Sequence, residues 1–238
     1  MRVGIHQPQY LPWLGIIDRI MQCDVFVMLD NVPYSKNYVY NRNRIKTADG
    51  WSWLTVPVLF KGKFGTLIKD IAINDKSNWR EEHRKSILFA YSKAPFFGEY
   101  KGYLEEFFAR EWVSLSEVSI ESLKLILRLF GVDRKIVIAS ELGVEGAKEA
   151  LLLDICKKLG ADNYLSGPDG KNYVIPDVWR AGGIEIGFQE FKHPKYPQLY
   201  GEFIPQMSSI DLLFNCGAEK GLSILTGAEG QKVELLLK

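Results

Sequence analysis

Cysteine and histidine are scarce in this chain of 238 residues, which contains three of each. Cys23, Cys156 and Cys216 are odd in number, lie far apart and show neither a CxxC pair nor a Cys-His ligand spacing. This pattern argues against a disulfide framework and against a structural zinc site. We therefore expect buried thiols, and no metal site is predicted.

Long apolar runs and net charge are lacking as well. No stretch approaches the roughly eighteen apolar residues of a membrane-spanning helix, and the segment after Met1 lacks the pattern of a signal peptide. The formal net charge is +1, so no overall field attracts nucleic acid or an anionic membrane. We expect a cytoplasmic protein without a nucleic-acid partner, and the sequence leaves monomer and homodimer open.

The composition that remains, 47% apolar and 25% charged, is that of a globular protein with one sizeable core. Residues 3–30 indicate how this core begins. A short apolar run ends at His6, helical spacing follows from Gly15 to Met21, and a second apolar run lies between Asp24 and Asp30. Such a βαβ unit places His6 and Asp30 at the same sheet edge, where ligands of open α/β sheets bind.

A basic stretch follows directly at residues 36–46, with four cations and three amides. If it is extended, neighbouring side chains point to opposite sides, so at most two of its cations face one pocket. Strands are predicted over 51–58 and 66–73, separated by a basic loop at 60–65 that suits either a lid or a solvated hairpin tip. Asp30 suits a contact to a cation, amine or hydroxyl, or turn capping.

Three helices are predicted over about 77–92, 98–112 and 116–130, with Ser77 capping the first and Ser114 or Ser116 the third. This section contains no cluster of residues typical of a functional site. We interpret it as a structural helical layer that packs on the sheet. His83 lies among charged residues, so we expect it on a solvated helix face.

The second half returns to βαβ alternation, with a strand at 134–140, a helix at 148–159 and a strand at 160–166. Ser166, Gly167 and Lys171 follow in a loop that suits phosphate or carboxylate binding, although Pro-Asp-Gly also forms an ordinary turn. The last strand, 184–191, ends beside His193, Tyr196 and Gln198. A helix at 210–214 capped by Ser208 or Ser209 follows, and a peripheral helix or tail is predicted over 218–238.

Several of these segments together resemble the WbqC-like family of bacteria: residues 6–15, 24–30, 41–46 and 53–57, then Tyr196-Pro-Gln and residues 209–217. The resemblance runs over nearly the whole chain. It implies a role in surface-polysaccharide synthesis, such as O-antigen, with glycine or acyl transfer to amino sugars.

The first βαβ unit is similar, more distantly, to the nucleotide-binding α/β superfamily of pantothenate synthetase and the cytidylyltransferases. His6, Pro12 and Gly15 fit that outline, whereas Ile16 stands where a second histidine is expected. This resemblance implies ATP, with Mg²⁺, and an acyl-adenylate that a sugar amine converts to an amide. His6, Arg42, Lys46 and Lys171 would then position substrates and stabilise charge.

We therefore predict an α/β fold with a mostly parallel, Rossmann-like sheet, helices on both faces and a helical insertion, in a single domain over 1–238. The leading hypothesis is a transferase or ligase that acts on an amino sugar or nucleotide-sugar. The alternatives are a nucleotidyltransferase on a small anionic substrate and a non-catalytic nucleotide-sugar binder.

Eight of the candidate residues are expected to converge on one pocket: His6, Asn41, Arg42, Lys46, Ser166, Lys171, His193 and Gln198. The rings of Tyr10, Trp13, Tyr38, Tyr40, Tyr173 and Tyr196 are expected along its wall. The candidate catalytic residues are His6, Asp30, Lys46 and His193. The candidate binding residues are Gln7, Tyr10, Lys36, Asn41, Arg42, Asn43, Ser166, Gly167, Lys171, Tyr173, Tyr196, Gln198 and Asn215.

Overall fold

The computed structural model describes residues 1–36, 39–60, 64–172 and 174–227. These residues form seven strands: β1 (Arg2–His6), β2 (Val25–Met28), β3 (Arg42–Thr47), β4 (Gly50–Thr55), β5 (Lys135–Ile138), β6 (Asn163–Ser166) and β7 (Glu185–Phe188). Five of them pair in parallel in the order β5-β2-β1-β6-β7. The predicted α/β class with a parallel, Rossmann-like sheet is confirmed.

Eight α-helices accompany the strands in the described part of the chain: α1 (Leu14–Met21), α2 (Trp79–Tyr91), α3 (Phe97–Ala109), α4 (Leu115–Phe130), α5 (Lys148–Leu159), α6 (Pro176–Ala181), α7 (Ile210–Cys216) and α8 (Ala218–Thr226). The sheet separates two hydrophobic clusters. Helices α1 to α4, α7 and α8 contribute to one cluster, and α5 and α6 contribute to the other. Helices therefore cover both faces.

Alternation along β1 explains how the sheet divides these clusters. Val3 and Ile5 point to the side of α5 and α6, whereas Gly4 lies on the opposite side. A side-chain carbon at position 4 would lie 2.7 Å from Cys23 Sγ and from the Phe26 ring. Glycine at this position therefore lets β2 and α1 pack closely on the central strand.

Strands β3 and β4 form a separate antiparallel hairpin, in which Arg44 opposes Trp53 and Lys46 opposes Trp51. The strand predicted over 51–58 is β4, displaced by a few residues. The strand predicted over 66–73 is wrong: Ile68–Asp70 is a 3-10 turn, and its neighbours form only isolated bridges. The apolar residues Ile68, Ile71 and Ile73 are nevertheless buried. The apolar pattern of this segment therefore indicated burial, although the segment is not a strand.

The three predicted central helices are present as α2, α3 and α4. Ser114 caps α4 by accepting a hydrogen bond from Glu117 N, and Gly131 ends this helix with φ 72°. Ser77 does not cap α2, whose N-cap is Asn78 without a side-chain bond. His83 is 6% exposed and contacts the Tyr10 hydroxyl at 2.9 Å, which corrects the expected solvated position.

The three thiols are buried, as expected, and burial raises the pKa of Cys23 and Cys156 to about 12. Among the described residues, none of the helices is both long enough and apolar enough to cross a bilayer. The expected tail over 218–238 begins as α8, and residues 228–238 lie outside the described residues.

The capping bond predicts a specific effect on stability. Ser114→Ala is expected to lower the free energy of unfolding by about 1 kcal/mol, because the amide of Glu117 loses its acceptor. Ser77→Ala, at an exposed position without a capping bond, serves as the matched control and should stay within about 0.5 kcal/mol of wild type. Urea unfolding measures both, and equal stability of the two variants would contradict the assigned cap.

Candidate functional site

The order of the parallel strands reverses beside β1, because the chain passes from β1 to β2 on one side and reaches β6 on the other. A crevice of about 440 Å³ lies beyond the carboxyl ends of β1 and β6. Ligands of doubly wound sheets bind at such a switch point. The crevice is lined by Ile5, His6, Gln7, Gln9, Trp13, Gly15, Ile16, Arg19, Leu29, Val39, Leu152, Tyr164, Gly167, Pro168, Asp169, Gly170 and Gln189.

Arg19 is the cation among the described lining residues of this crevice, and sequence reasoning missed it. Its side chain is 3% exposed, and its guanidinium carbon lies 5.6 Å from the centre of the Phe26 ring. A side-chain carbon at Gly167 would come within 2.5 Å of Arg19 Nη1, so the glycine backbone closely approaches the guanidinium. The signal that could have found Arg19 is a cation within the apolar stripe of α1.

His6 presents one ring nitrogen to its own backbone. Its Nδ1 lies 2.7 Å from the carbonyl oxygen of Gln7. Because a carbonyl only accepts, Nδ1 carries the proton, and Nε2 keeps a lone pair. Burial, with the charge of Arg19 as a smaller cause, lowers the pKa of His6 to about 3. His6 is therefore neutral at pH 7 and can accept a hydrogen bond.

Gln189, which sequence reasoning also missed, anchors the start of α1 to the end of β7. Its Nε2 donates to the carbonyl of Gly15 at 2.8 Å and to Asp18 Oδ2 at 2.5 Å. Burial raises the pKa of Asp18, while hydrogen bonds from Gln189 and Gln22 and the charge of Arg19 lower it. These bonds fix the helix on which Arg19 lies.

The loop after β6 contributes as predicted to the crevice, through Gly167. Ser166 is fully buried behind it, and its carbonyl accepts from Gln189 N at 2.9 Å. Lys171 follows on the same sheet edge but is exposed, with Nζ 3.9 Å from Glu190. Asp169, which was not predicted, adds a carboxylate to the lining. Tyr173 and Tyr38 lie outside the described residues.

Three predicted binding residues lie in a second cavity of about 520 Å³, called here the hairpin cleft. Lys36, Asn41 and Arg42 line it together with Tyr34, Thr55, Val58 and Phe60. The described lining residues of the cleft and of the crevice have no member in common. The expected convergence on one pocket is therefore replaced by two cavities.

A third group of predicted residues forms a buried polar network. Asp211 accepts from the Tyr91 hydroxyl at 2.8 Å and from Gln198 Nε2 at 2.7 Å, and burial raises its pKa. Lys46 is 1% exposed, donates its ammonium group to the carbonyl of Glu202 and donates its backbone amide to Tyr91. These contacts hold the irregular segment 196–206 on the hairpin.

The other predicted residues near this network are also buried or hydrogen-bonded to protein groups. Asn215 donates to the carbonyl of Asp211 at 2.7 Å, and Tyr196 is buried. His193 uses both ring nitrogens on backbone groups, of Pro194 and Gln206, and burial lowers its pKa. Within the described residues, Lys46, His193, Tyr196, Gln198 and Asn215 therefore support the fold, and they line neither the crevice nor the hairpin cleft.

Three further candidates are also interior. Asp30 accepts from Ser140 N at 2.9 Å and Ser140 Oγ at 2.7 Å, which joins β2 to the turn after β5. Asn43 donates to the carbonyl of Leu11 at 2.6 Å. Tyr10 is fully buried against Trp79 and His83, and Tyr40 is buried too. Their partners are distant in sequence, so local pattern could not reveal these roles.

Within the described residues, no group of three or more His, Cys, Asp or Glu side chains is arranged to hold a metal ion. The crevice combines the buried guanidinium of Arg19, the neutral imidazole of His6, the backbone of Gly167 and the start of α1. A helix N-terminus and a cation favour a phosphate or carboxylate, and the amides of Gln7 and Gln9 suit hydroxyl groups.

Comparison with known proteins gives the following matches. The model of the WbqC-like protein family matches residues 7–222. An uncharacterized protein of Mycobacterium tuberculosis, Rv1507c, is 34% identical over 220 residues, which cover 92% of this chain and 95% of that protein. No solved structure matches the chain significantly.

The Asp211 network predicts a large loss of stability when its acceptor is removed. Asp211→Ala is expected to lower the free energy of unfolding by about 2–4 kcal/mol, because Tyr91 and Gln198 lose a buried partner. Asp177→Ala, at an exposed carboxylate, is the control and should change stability by less than about 0.5 kcal/mol. Urea unfolding decides, and a stable Asp211→Ala variant would show that the network is dispensable.

The neutral histidines predict a pH dependence of stability. Burial lowers the pKa of His6 to about 3 and of His83 to about 4, from 6.5. Below pH 6.5 the unfolded chain therefore binds protons that the folded chain excludes, so stability falls as pH falls towards these values. His6→Gln and His83→Gln should each remove about 1 kcal/mol of the loss between pH 6 and 5.

Urea unfolding at several pH values between 7 and 5 measures this slope. Lys76→Gln, which changes an exposed side chain away from both histidines in sequence, serves as the control. Slopes that match wild type in both histidine variants would rule out neutral, buried imidazoles.

Proposed function

Since the chain belongs to the WbqC-like protein family, we propose that it is a transferase or ligase that attaches an acyl or aminoacyl group to an amino sugar. The acceptor is an amino sugar or a nucleotide-linked amino sugar of bacterial surface-polysaccharide synthesis. The observation that carries the proposal is the crevice at the strand-order switch, where Arg19, Gly167 and His6 meet.

Arg19 supports the part of this proposal in which the substrate carries a phosphate. A guanidinium that is 3% exposed acts in a surrounding of low dielectric, where its attraction for an anion is stronger than in water. Gly167 lets the loop after β6 lie directly against the guanidinium, since a side-chain carbon there would lie 2.5 Å from Arg19 Nη1. The α1 N-terminus adds positive potential at Gly15 and Ile16.

His6 suits the amine that is acylated. The neutral His6 ring offers Nε2 as an acceptor for an amine or hydroxyl hydrogen. Burial is the main cause of the low pKa of His6, and the Arg19 charge is the smaller one, so an anion bound beside Arg19 would offset only the smaller cause and raise this pKa in part. Catalysis then rests on positioning and charge stabilisation, without a covalent intermediate on the protein.

ATP is the activating co-substrate of this proposal, and the presence of Arg19 and the start of α1 in the crevice supports binding of its phosphates. The crevice volume of about 440 Å³ lies in the range of small-molecule sites. Mg²⁺ is commonly held by substrate phosphates with one or two carboxylates, and Asp169 is the lining carboxylate that would hold it. When bound, ATP supplies activation of a carboxylate, with release of pyrophosphate.

The test of this function is a reconstituted reaction. The protein is incubated with ATP, Mg²⁺, glycine or acetate, and UDP- or dTDP-linked amino sugars, while pyrophosphate release and new amides are followed by mass spectrometry. Pyrophosphate together with an amide supports the proposal. A nucleotide incorporated into the product identifies a nucleotidyltransferase instead, and binding without turnover identifies a non-catalytic binder.

Arg19 yields the quantitative prediction for this site. Arg19→Gln is expected to weaken binding of ATP or a nucleotide-sugar by about 1.5–3 kcal/mol, the range for a hydrogen bond to a charged group. Arg19→Lys, which keeps the charge, should retain part of the affinity. Arg180→Gln, at an exposed position, is the matched control and should bind as wild type.

Isothermal titration calorimetry measures the affinities, and far-UV circular dichroism establishes that each variant is folded. A folded Arg19→Gln protein with wild-type affinity for every ligand that binds would remove Arg19 from the site.

A further inference from the structure

The crevice is lined by two buried glutamines that differ in their partners. Gln9 and Gln189 are each 5% exposed. Gln189 donates its side-chain amide to the carbonyl of Gly15 at 2.8 Å and to Asp18 at 2.5 Å. Within the part of the chain that the structure describes, the side-chain amide of Gln9 bonds to no protein group, and its oxygen and nitrogen remain accessible. Gln189 is therefore a structural residue, whereas Gln9 has hydrogen bonds left to make.

Burial makes the position of Gln9 informative. A buried amide needs hydrogen-bond partners, because leaving its donors and its acceptor unsatisfied is costly. With no partner among the described residues, the amide of Gln9 is left to water or to a ligand in the crevice. A ligand that displaces this water keeps its affinity only if it reproduces the same hydrogen bonds.

The loop after β1 holds Gln9 rigidly. Tyr10 N donates to the carbonyl of Tyr40 at 3.0 Å, and Leu11 N donates to Ser122 Oγ at 3.0 Å. Leu11 has φ 44°, in the left-handed region that residues with a side chain rarely adopt. Strain of this kind persists only where the surroundings fix the backbone, and it clusters at functional sites.

Alternate residues of this loop face the crevice. Gln7 and Gln9 line it, whereas Pro8 and Tyr10 are buried and are not among its described lining residues. Gln7 likewise has no side-chain bond to a described residue. His6, directly before them, keeps the lone pair of Nε2 as an acceptor. The loop thus presents two amides and one imidazole to the same cavity.

These groups select hydroxyl groups rather than anions. The side-chain oxygens of Gln7 and Gln9 and the Nε2 atom of His6 are acceptors, so they require a ligand group that donates. A hydroxyl group donates and accepts, which satisfies both ends of an amide. The diphosphate of a nucleotide-sugar has no hydrogen to donate at neutral pH. The sugar is therefore the part of such a ligand that matches this loop.

We propose that Gln9 is the residue that determines specificity for the sugar of the substrate, with Gln7 and His6 completing the sugar-binding end of the crevice. The Gln9 amide bonds to a sugar hydroxyl, and ligands without the sugar leave this amide to water. This inference rests on the proposed function, because it assigns one end of the same crevice.

The first test separates a ligand contact from a structural role. Gln9→Met replaces the amide by an apolar group of similar length and is expected to unfold at the wild-type temperature or above. Gln189→Met is the matched variant at a glutamine that has protein partners. Its unfolding midpoint should fall by about 2–4 °C or more, because Gly15 and Asp18 lose their donor. An equal fall in Gln9→Met would overturn the inference.

The second test measures selectivity by isothermal titration calorimetry. UDP-N-acetylglucosamine is compared with UDP, and dTDP-glucose with dTDP. At least one nucleotide-sugar is expected to bind at least tenfold more tightly than its nucleotide. Gln9→Met should reduce this preference about tenfold or more and leave the affinity for the nucleotide unchanged. Gln206→Met, at an exposed glutamine outside the described lining, should retain the preference.

A third measurement detects the contact directly. In ¹H–¹⁵N correlation spectra, the side-chain amide signal of Gln9 is assigned by its absence in Gln9→Met. This signal should shift when the preferred nucleotide-sugar binds, and it should shift less with the nucleotide alone.

The inference is overturned if neither nucleotide-sugar is preferred to its nucleotide, if Gln9→Met keeps the preference, or if the Gln9 signal does not respond. Any of these results, together with amide formation in the reconstituted reaction, removes Gln9 from the site and leaves the proposed function standing. A preference that Gln9→Met abolishes, in a protein that forms no amide, supports the sugar-binding role of Gln9 and contradicts the transferase function.

Discussion

The parallel pairing of β1 with both β2 and β6 is the constraint on which the rest of the structure depends. A strand that is paired on both sides and covered by helices on both faces has only its two ends left for solvent, and in α/β sheets ligands bind at the carboxyl end. The reversal of strand order at this strand opens a gap between the loops that follow β1 and β6. Gly4 keeps this centre compact, and the crevice follows from connectivity before any side chain is considered.

The sequence predicted those parts of the fold that local pattern determines. The apolar run ending at His6, the helical spacing after Gly15 and the glycine loop after Ser166 located the crevice, because parallel strands end at a common edge. The periodicity of the three central helices was equally informative. The strand predicted over 66–73 was wrong because an alternating apolar pattern shows only that some side chains are buried. A 3-10 turn flanked by isolated bridges buries its apolar side chains as well.

Which polar residues line a cavity and which have a buried partner could not be predicted in the same way. Lys46 and Gln198 are 152 positions apart, yet both belong to the network around Asp211. A polar residue after a strand has the same local pattern whether it meets a ligand or a buried partner, because only the tertiary contact distinguishes them. His83 shows the converse, since flanking charges suggested solvent while Tyr10 holds it in the core.

Burial also decides how each arginine acts on an anion. Surface charges are screened over about 8–10 Å at physiological salt, so steering from a distance contributes little to a chain with a net charge of +1. Arg19 is buried against Phe26, and Arg42 is half-buried on Trp53. Under the proposed function, a guanidinium in this chain would therefore act on an anion at contact range, after the ligand has entered its cavity. Selection would then rest on the shape of the cavity and on the ring or sugar beside the anion.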